Sequence, residues 1–255
     1  MRLEIGFNTD IGRVRTNNED ACRVVSDLQL FIISDGMGGE SHGEVASAIA
    51  GDAIAAYCSA SSDSFLPSTE ALSRSDLSEN TNRLADAVRL ANLRIYEASL
   101  GDPELRGMGA TVVAAWLEGA RLSLVYVGDS RAYLFRAGVL KQLTSDHTLV
   151  AEQVRRGIIK PEEAQLSKMQ NILIRALGVQ ETTEPDAIEF VLLSDDVVLL
   201  CTDGLTRMVE DSEIAKVLLE SSGAQTSADN LVALANEHGG QDNVSVIVVH
   251  IAGVS

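Results

Sequence analysis

Four apolar runs, residues 111–117, 121–127, 131–136 and 139–143, follow one another with only Glu118-Gly119, Gly128-Asp129-Ser130 and Ala137-Gly138 as turn signals between them. A parallel return needs a crossover of a dozen residues or more, so connections this short predict antiparallel neighbours. A second pair, residues 188–193 and 197–201, is joined by Ser194-Asp195-Asp196, and its latter run is apolar at every position, as a strand covered on both faces should be. Elsewhere the period changes. Leu84, Val88, Ala91, Ile95 and Ala98 recur at steps of four and three, which lays one apolar stripe along a helix, and the Ala-rich residues 43–57 read as another. The Ser-rich residues 59–78, with Pro67 inside, read as a surface loop between these two helices. Helices are expected at about 211–220 and 227–238, and residues 244–251 close the chain as a β-rich run. Strands and helices are grouped, not strictly alternating, which predicts an α+β fold on antiparallel sheets.

Residues 146–178 differ from their surroundings. Pro161 before Glu162-Glu163 is a helix start and Gly157 a helix stop, so a small helical insertion is expected there. No repeat and no Pro/Gly-rich linker divides the chain, and residues 1–255 are expected to form a single domain. Charge narrows the functions open to it. Twenty Lys and Arg against 37 Asp and Glu give a net charge of −17, a field that opposes any sequence-independent grip on nucleic acid or an anionic membrane. No apolar run reaches the roughly 18–20 residues of a membrane span, and the start lacks a signal-peptide pattern, so a soluble, cytoplasmic protein is expected. Cys22, Cys58 and Cys201 form no close pair and read as buried thiols, not as a disulfide or zinc framework.

Five segments set carboxylates at strand ends: Asn18-Glu19-Asp20, Ser34-Asp35-Gly36, Gly128-Asp129-Ser130, Thr202-Asp203-Gly204 and Gln241-Asp242-Asn243. Each alone is an ordinary turn signal. Strand ends of packed sheets converge, however, and together these segments predict one acidic cleft. Carboxylates crowded in a low-dielectric cleft raise one another's pKa unless divalent cations neutralise them. All-oxygen donors select Mg²⁺ or Mn²⁺, and Gly36 would let a backbone carbonyl approach an ion with no Cβ in the way. Two such ions about 3.5–4 Å apart can hold a water and aim it at a phosphoryl group.

These segments, with residues 12–18, 37–39, 43–47, 107–111, 131, 205–206 and 244–245, resemble in type and order the type-2C metal-dependent Ser/Thr protein phosphatases in their bacterial form, over about residues 5–250. The resemblance implies a four-layer αββα sandwich, two antiparallel sheets flanked by helices, with a dimetal site at one end and residues 146–178 as a flap beside it. It implies that Asp35 bridges two metals, that the Gly36 carbonyl serves one, and that Asp203 and Asp242 hold the other. Asp129 with Asp203 is similar to the ligand pair of a weaker third metal. Glu19 and Asp20 would act through water on the metals, and Arg15 would grip the substrate phosphate with its planar donor fork. The implied partners are phosphorylated proteins, substrates of a Ser/Thr kinase of the same cell, met by a monomer.

The match departs from the pattern where a histidine is expected as acid for the leaving oxygen: the candidate positions hold Met37 and Glu40. His42, two residues on, and metal-bound water remain candidates. His147 opens the insertion as an anchor, and Arg155 and Arg156 are candidates for steering acidic phosphopeptides. Arg207 stands where an acidic residue is frequent, with no consequence the sequence assigns. Two rival readings stay open: a regulatory module of the same fold that binds phosphoproteins with weak turnover, and a two-metal phosphodiesterase, which the −17 charge disfavours.

Overall fold

Residues 2–38, 42–60, 74–164, 167 and 169–253 are described by the computed structural model. Glu40, Pro67 and most of the expected loop at 59–78 lie outside them. Eleven strands are named among the described residues: β1 (Arg2–Asp10), β2 (Asp20–Val25), β3 (Leu30–Met37), β4 (Gly109–Ala110), β5 (Val112–Glu118), β6 (Arg121–Val127), β7 (Arg131–Arg136), β8 (Val139–Gln142), β9 (Asp186–Val191), β10 (Val197–Cys201) and β11 (Val244–Gly253). They form two antiparallel sheets. One runs β1-β11-β10-β7-β8; the other runs β2-β3-β5-β6-β9, with β4 paired to the end of β3.

The alternation of side chains across each strand dictates the layers. In β3, Phe31 and Ile33 face inward with Val113, Leu124, Leu200, Ile247 and Val249, forming the core between the sheets. Leu30 and Ile32 point the other way, onto α1 (Gly43–Ser59) and α2 (Glu79–Gly101). On the far side Leu199, Val246 and Val248 pack against α5 (Asp203–Thr206), α6 (Asp211–Glu220) and α7 (Ala224–Glu237). The central strands are thus apolar on both faces because each sheet is covered twice, and the expected four layers follow. The helix stripe holds as well: Leu84, Val88, Ala91 and Ile95 are fully buried, Ala98 is partly so, and the Ser78 hydroxyl caps α2 by accepting from the Thr81 amide.

Short connections do not always join paired strands, and here the structure corrects the sequence expectation. Residues 128–130 carry the chain from β6 in one sheet to β7 in the other, and residues 192–196 do the same between β9 and β10. Stacked sheets lie about 10 Å apart, a gap three extended residues can cross. Both crossings are pinned. Gly128 has φ +107°, and a Cβ there would lie 2.6 Å from the Thr111 side chain. Asp196 is buried, accepts from the Leu193 amide at 2.7 Å and takes the Arg136 fork at 2.6 and 2.7 Å. The hairpins β5–β6 and β7–β8 pair as expected.

The insertion holds α3 (Leu149–Arg155) and α4 (Pro161–Ala164), with Gly157 at φ +68° between them. Its two ends are tied together, Thr148 bridging Leu173, and its last turn is tied to the sheet by an Ala110–Leu177 bridge. His147 is fully buried, stacks on Tyr126 with ring centroids 5.3 Å apart, accepts from the Gly128 amide and meets Asp186 at 3.2 Å. Arg155 and Arg156 both pair with Glu152 of their own helix. Among the described residues no helix is long and apolar enough to cross a membrane.

Candidate active site

The end of the sandwich where β2, β3 and β10 meet the starts of β7 and β11 gathers every acidic segment singled out in the sequence. Asp20 and Asp35 are direct partners in the β2–β3 register, so their side chains leave the same face side by side. Asp129 arrives on the β6–β7 crossing, Asp203 at the start of α5 and Asp242 just before β11. A cavity of about 270 Å³ is lined by Glu19, Asp35, Gly36, Asp129, Asp203 and Asp242 among others. It adjoins a groove of about 850 Å³ between the insertion and the α5–α6 segment, reached past Arg15 and Arg207.

Small polar side chains set this convergence, and none of them is among the site residues expected from sequence. Thr111 donates its amide to the Asp35 carbonyl at 2.8 Å, and its hydroxyl accepts from the Asp35 amide and meets Ser130 Oγ at 2.6 Å. One threonine thereby fixes the backbone that carries Asp35 against the turn that carries Asp129. Thr202 Oγ1 donates to Asp20 Oδ2 at 2.9 Å and accepts from the Ser245 amide, tying β2 to the opposite sheet. Asn243 accepts from the Glu19 amide at 2.8 Å and donates to the carbonyls of Ile11 and Asn17, holding the Arg15 loop over the cleft. The available signal was a Ser, Thr or Asn within a few residues of each carboxylate. Gly36 is required by closeness: a Cβ would lie 2.0 Å from the Gly43 carbonyl oxygen and 2.7 Å from that of Glu19.

The electrostatics are those of acids held together against their preference. Burial, then the neighbouring carboxylates, holds Asp35 well above the usual carboxylate range. Burial pushes Asp20 up to about 7, opposed by hydrogen bonds from Ser245 and Thr202, and pushes Asp129 up to about 7 with the Asp203 charge adding to it. Asp203 is raised by burial against the pull of Arg207, with the Asp242 charge adding to the rise, and Glu19 is raised by burial and by Glu44. Two cations stand against this charge. Arg15 forks onto Asp242, Nε to Oδ1 and Nη2 to Oδ2, each at 2.9 Å. Arg207 ion-pairs with Asp203 and reaches Asp242 at 3.5 Å and Asp129 at 3.8 Å.

The residues fit hard divalent cations. Asp20 Oδ1 and Asp203 Oδ1 are buried with no hydrogen-bond partner, a need that a cation among the carboxylates would meet. Among the described residues no three Asp, Glu, His or Cys side chains close on one point as a cage. Magnesium-type ions need no such cage, since they take one or two carboxylates and keep several waters. Among the described residues no histidine lines the cavity or the groove. His42 caps α1 at φ +57°, with Nδ1 3.2 Å from Glu44. Burial pushes the thiols of Cys22, Cys58 and Cys201 up to about 12, which disqualifies them as nucleophiles at neutral pH.

Comparison with known proteins agrees with this geometry. The serine/threonine phosphatase stp of Listeria monocytogenes serotype 4b (strain F2365) is 37% identical over 246 residues, 95% of this chain and 94% of that protein. The crystal structure of Stp1 from Staphylococcus aureus superposes with a TM-score of 0.88 at 33% identity, covering 99% of this chain and 96% of that one. The catalytic domain of PstP, crystallised in complex with two manganese ions, superposes with a TM-score of 0.80 at 37% identity over 97% of both chains. Residues 12–236 match the family model described as Protein phosphatase 2C. With carboxylates from both sheets meeting at the end of an αββα sandwich, and relatives of this identity matched over nearly their whole length, the chain belongs to the protein phosphatase 2C family, in its bacterial form.

Proposed function

We propose that the chain hydrolyses phosphoserine and phosphothreonine in proteins, in one step and without a covalent phosphoenzyme, using two divalent ions, Mn²⁺ or Mg²⁺. The observation that carries this reading is the meeting of Asp35, Asp129, Asp203 and Asp242 in one cleft, with Asp20 buried next to Asp35, two buried oxygens unpartnered and Arg15 beside them. Asp35, the Gly36 carbonyl, Asp203 and Asp242 would hold the two ions, and Asp129 with Asp203 would be the pair available to a further one. When bound, the ions supply Lewis-acid polarisation of the phosphoryl oxygens and lower the pKa of water toward neutrality.

The remaining work falls to the chain itself. Arg15 presents a planar fork whose present partner is a carboxylate, and a phosphate offers the same bidentate acceptor geometry. Exchanging Asp242 for the substrate would set the guanidinium on the phosphoryl oxygens and free Asp242 for metal. Asp20, fixed by Thr202, and Glu19, fixed by its backbone to Asn243, would orient water at the metal site. The groove beside the insertion, about 850 Å³, would take the peptide around the phosphorylated residue. Phosphoproteins modified by a Ser/Thr kinase of the same cell are the expected substrates, met in the cytoplasm by a monomer. In this reading residues 1–255 are one catalytic domain with its flap at about 146–178.

The test is phosphate release from a phosphothreonine peptide with and without Mn²⁺, with single-stranded DNA as control. Release should require the metal and fall in Asp242→Asn by more than the roughly 10–100-fold that losing a partner behind the metal ligands costs. Peptide binding without release would favour a regulatory module, and nicked DNA a diesterase. Arg15→Ala should separate from Asp242→Asn: its KM for the peptide rises and its kcat drops, while its Mn²⁺ requirement stays.

A further inference from the structure

Arg207 touches three of the carboxylates that the proposed reaction assigns to metal, and it does so from the wall shared by the cavity and the groove. The contact is built into the fold. Arg207 follows the four-residue α5 and lies one helical turn after Asp203, so its side chain folds back on that carboxylate; the β6–β7 crossing brings Asp129 within reach of Nη2, and the loop before β11 brings Asp242 within reach of Nη1. The guanidinium is only 30% exposed at the side chain, so water screens it weakly. A carboxylate oxygen paired to a guanidinium offers fewer lone pairs to an ion, and a fixed positive charge a few ångström away repels a divalent cation.

We propose that Arg207 is a resident counter-cation that competes with divalent metal for Asp129 and Asp203, and so sets how many ions the cleft takes and how tightly. The inference rests on the metal-dependent reading above. It gives the arginine two consequences. Without metal it offsets the mutual repulsion of the acid cluster. With metal it is displaced or tolerated at a cost, so the ion nearest Asp129 and Asp203 binds weakly or not at all. A lysine, compact and with no fork, preserves the charge but not the shared geometry.

Equilibrium dialysis and calorimetry with Mn²⁺ alone test this on the full chain, with no reliance on turnover. Arg207→Gln should bind its weakest Mn²⁺ at least about tenfold more tightly than wild type, or bind one more ion per chain, and Arg207→Lys should lie between the two. Thermal melts of the metal-free proteins give the second reading: Arg207→Gln should melt below wild type at pH 8 and recover more on adding Mn²⁺. Unchanged stoichiometry and affinity in Arg207→Gln overturn the inference while leaving the phosphatase reading intact. A raised KM for the phosphopeptide with unchanged Mn²⁺ binding overturns it too, and assigns Arg207 to substrate. Wild type that takes up no Mn²⁺ sinks both readings.

Discussion

Asp35→Asn is expected to abolish manganese-dependent phosphate release while making the metal-free protein more stable. The two effects have one origin. Asp35 stands beside Asp20 in the strand register and lies in the field of Asp203, Asp129 and Asp242, so its ionised form is opposed from several sides in the absence of metal. An asparagine of the same shape removes the charge. Above pH 7, where an ordinary carboxylate is fully ionised, that relief should appear as a raised melting temperature, at about 2–4 °C per kcal/mol for a domain near this size. Catalysis moves the opposite way. The same carboxylate is the central donor for the metals, and losing several kcal/mol of charge stabilisation in the transition state slows the reaction by about 10³-fold or more. Calorimetry in chelator and a malachite-green phosphate assay with Mn²⁺ read the two halves. A variant that melts several degrees lower in chelator would mean that Asp35 is a structural anion satisfied by its surroundings.

Much of this arrangement is legible in the sequence. Period-three-and-four spacing marks α2, an unbroken apolar run marks β10, a β-branched run marks β11, and each carboxylate of the cleft stands next to a strand. Alternation at Leu3, Ile5 and Phe7 also carries β1, a strand that was not among those expected. What local pattern does not disclose is which sheet a strand joins. The turn at residues 128–130 has the composition of a hairpin turn and crosses between sheets, because β7 finds its partners in β8 and β10 and not in β6. That crossing is also what delivers Asp129 to the cleft. Arg207 was illegible for a related reason. Its i,i+4 relation to Asp203 can be read from the chain, but Asp129 and Asp242 come to it from 78 residues before and 35 after, and only packing unites them.

The metal-free protein should lose stability as pH rises from about 5 to 8, and Mn²⁺ should cancel or reverse that loss. Asp20 and Asp129 titrate at about 7 in the folded chain, against about 3.9 for an ordinary aspartate. A group raised by folding gives stability that is complete below its unfolded pKa and is lost as pH climbs through the folded one, so the window opens near pH 4 and closes near 8. Asp35, Asp203 and Glu19 are raised too and add to the slope. Asp186, held low by His147 and Arg175, has the opposite sign, but its contribution is complete by about pH 5 and leaves the window unaffected. Each carboxyl that folding raises adds to the cost of ionising the cleft, so the melting temperature should fall by at least several degrees across the window. Metal acts against this slope because it binds deprotonated ligands and so gains affinity with pH; at 100 times its dissociation constant it adds about 2.7 kcal/mol. The net charge of −17 also disfavours folding at high pH, and the two causes separate in Asp35→Asn, which changes the total charge by one but removes a central member of the cluster. If the cleft is the cause, that variant's melting temperature falls less between pH 5 and 8 than wild type's in the same chelator buffer. Parallel slopes would assign the loss to the surface, and a wild type more stable at pH 8 than at pH 5 would mean that Arg15 and Arg207 already neutralise the cleft without any ion.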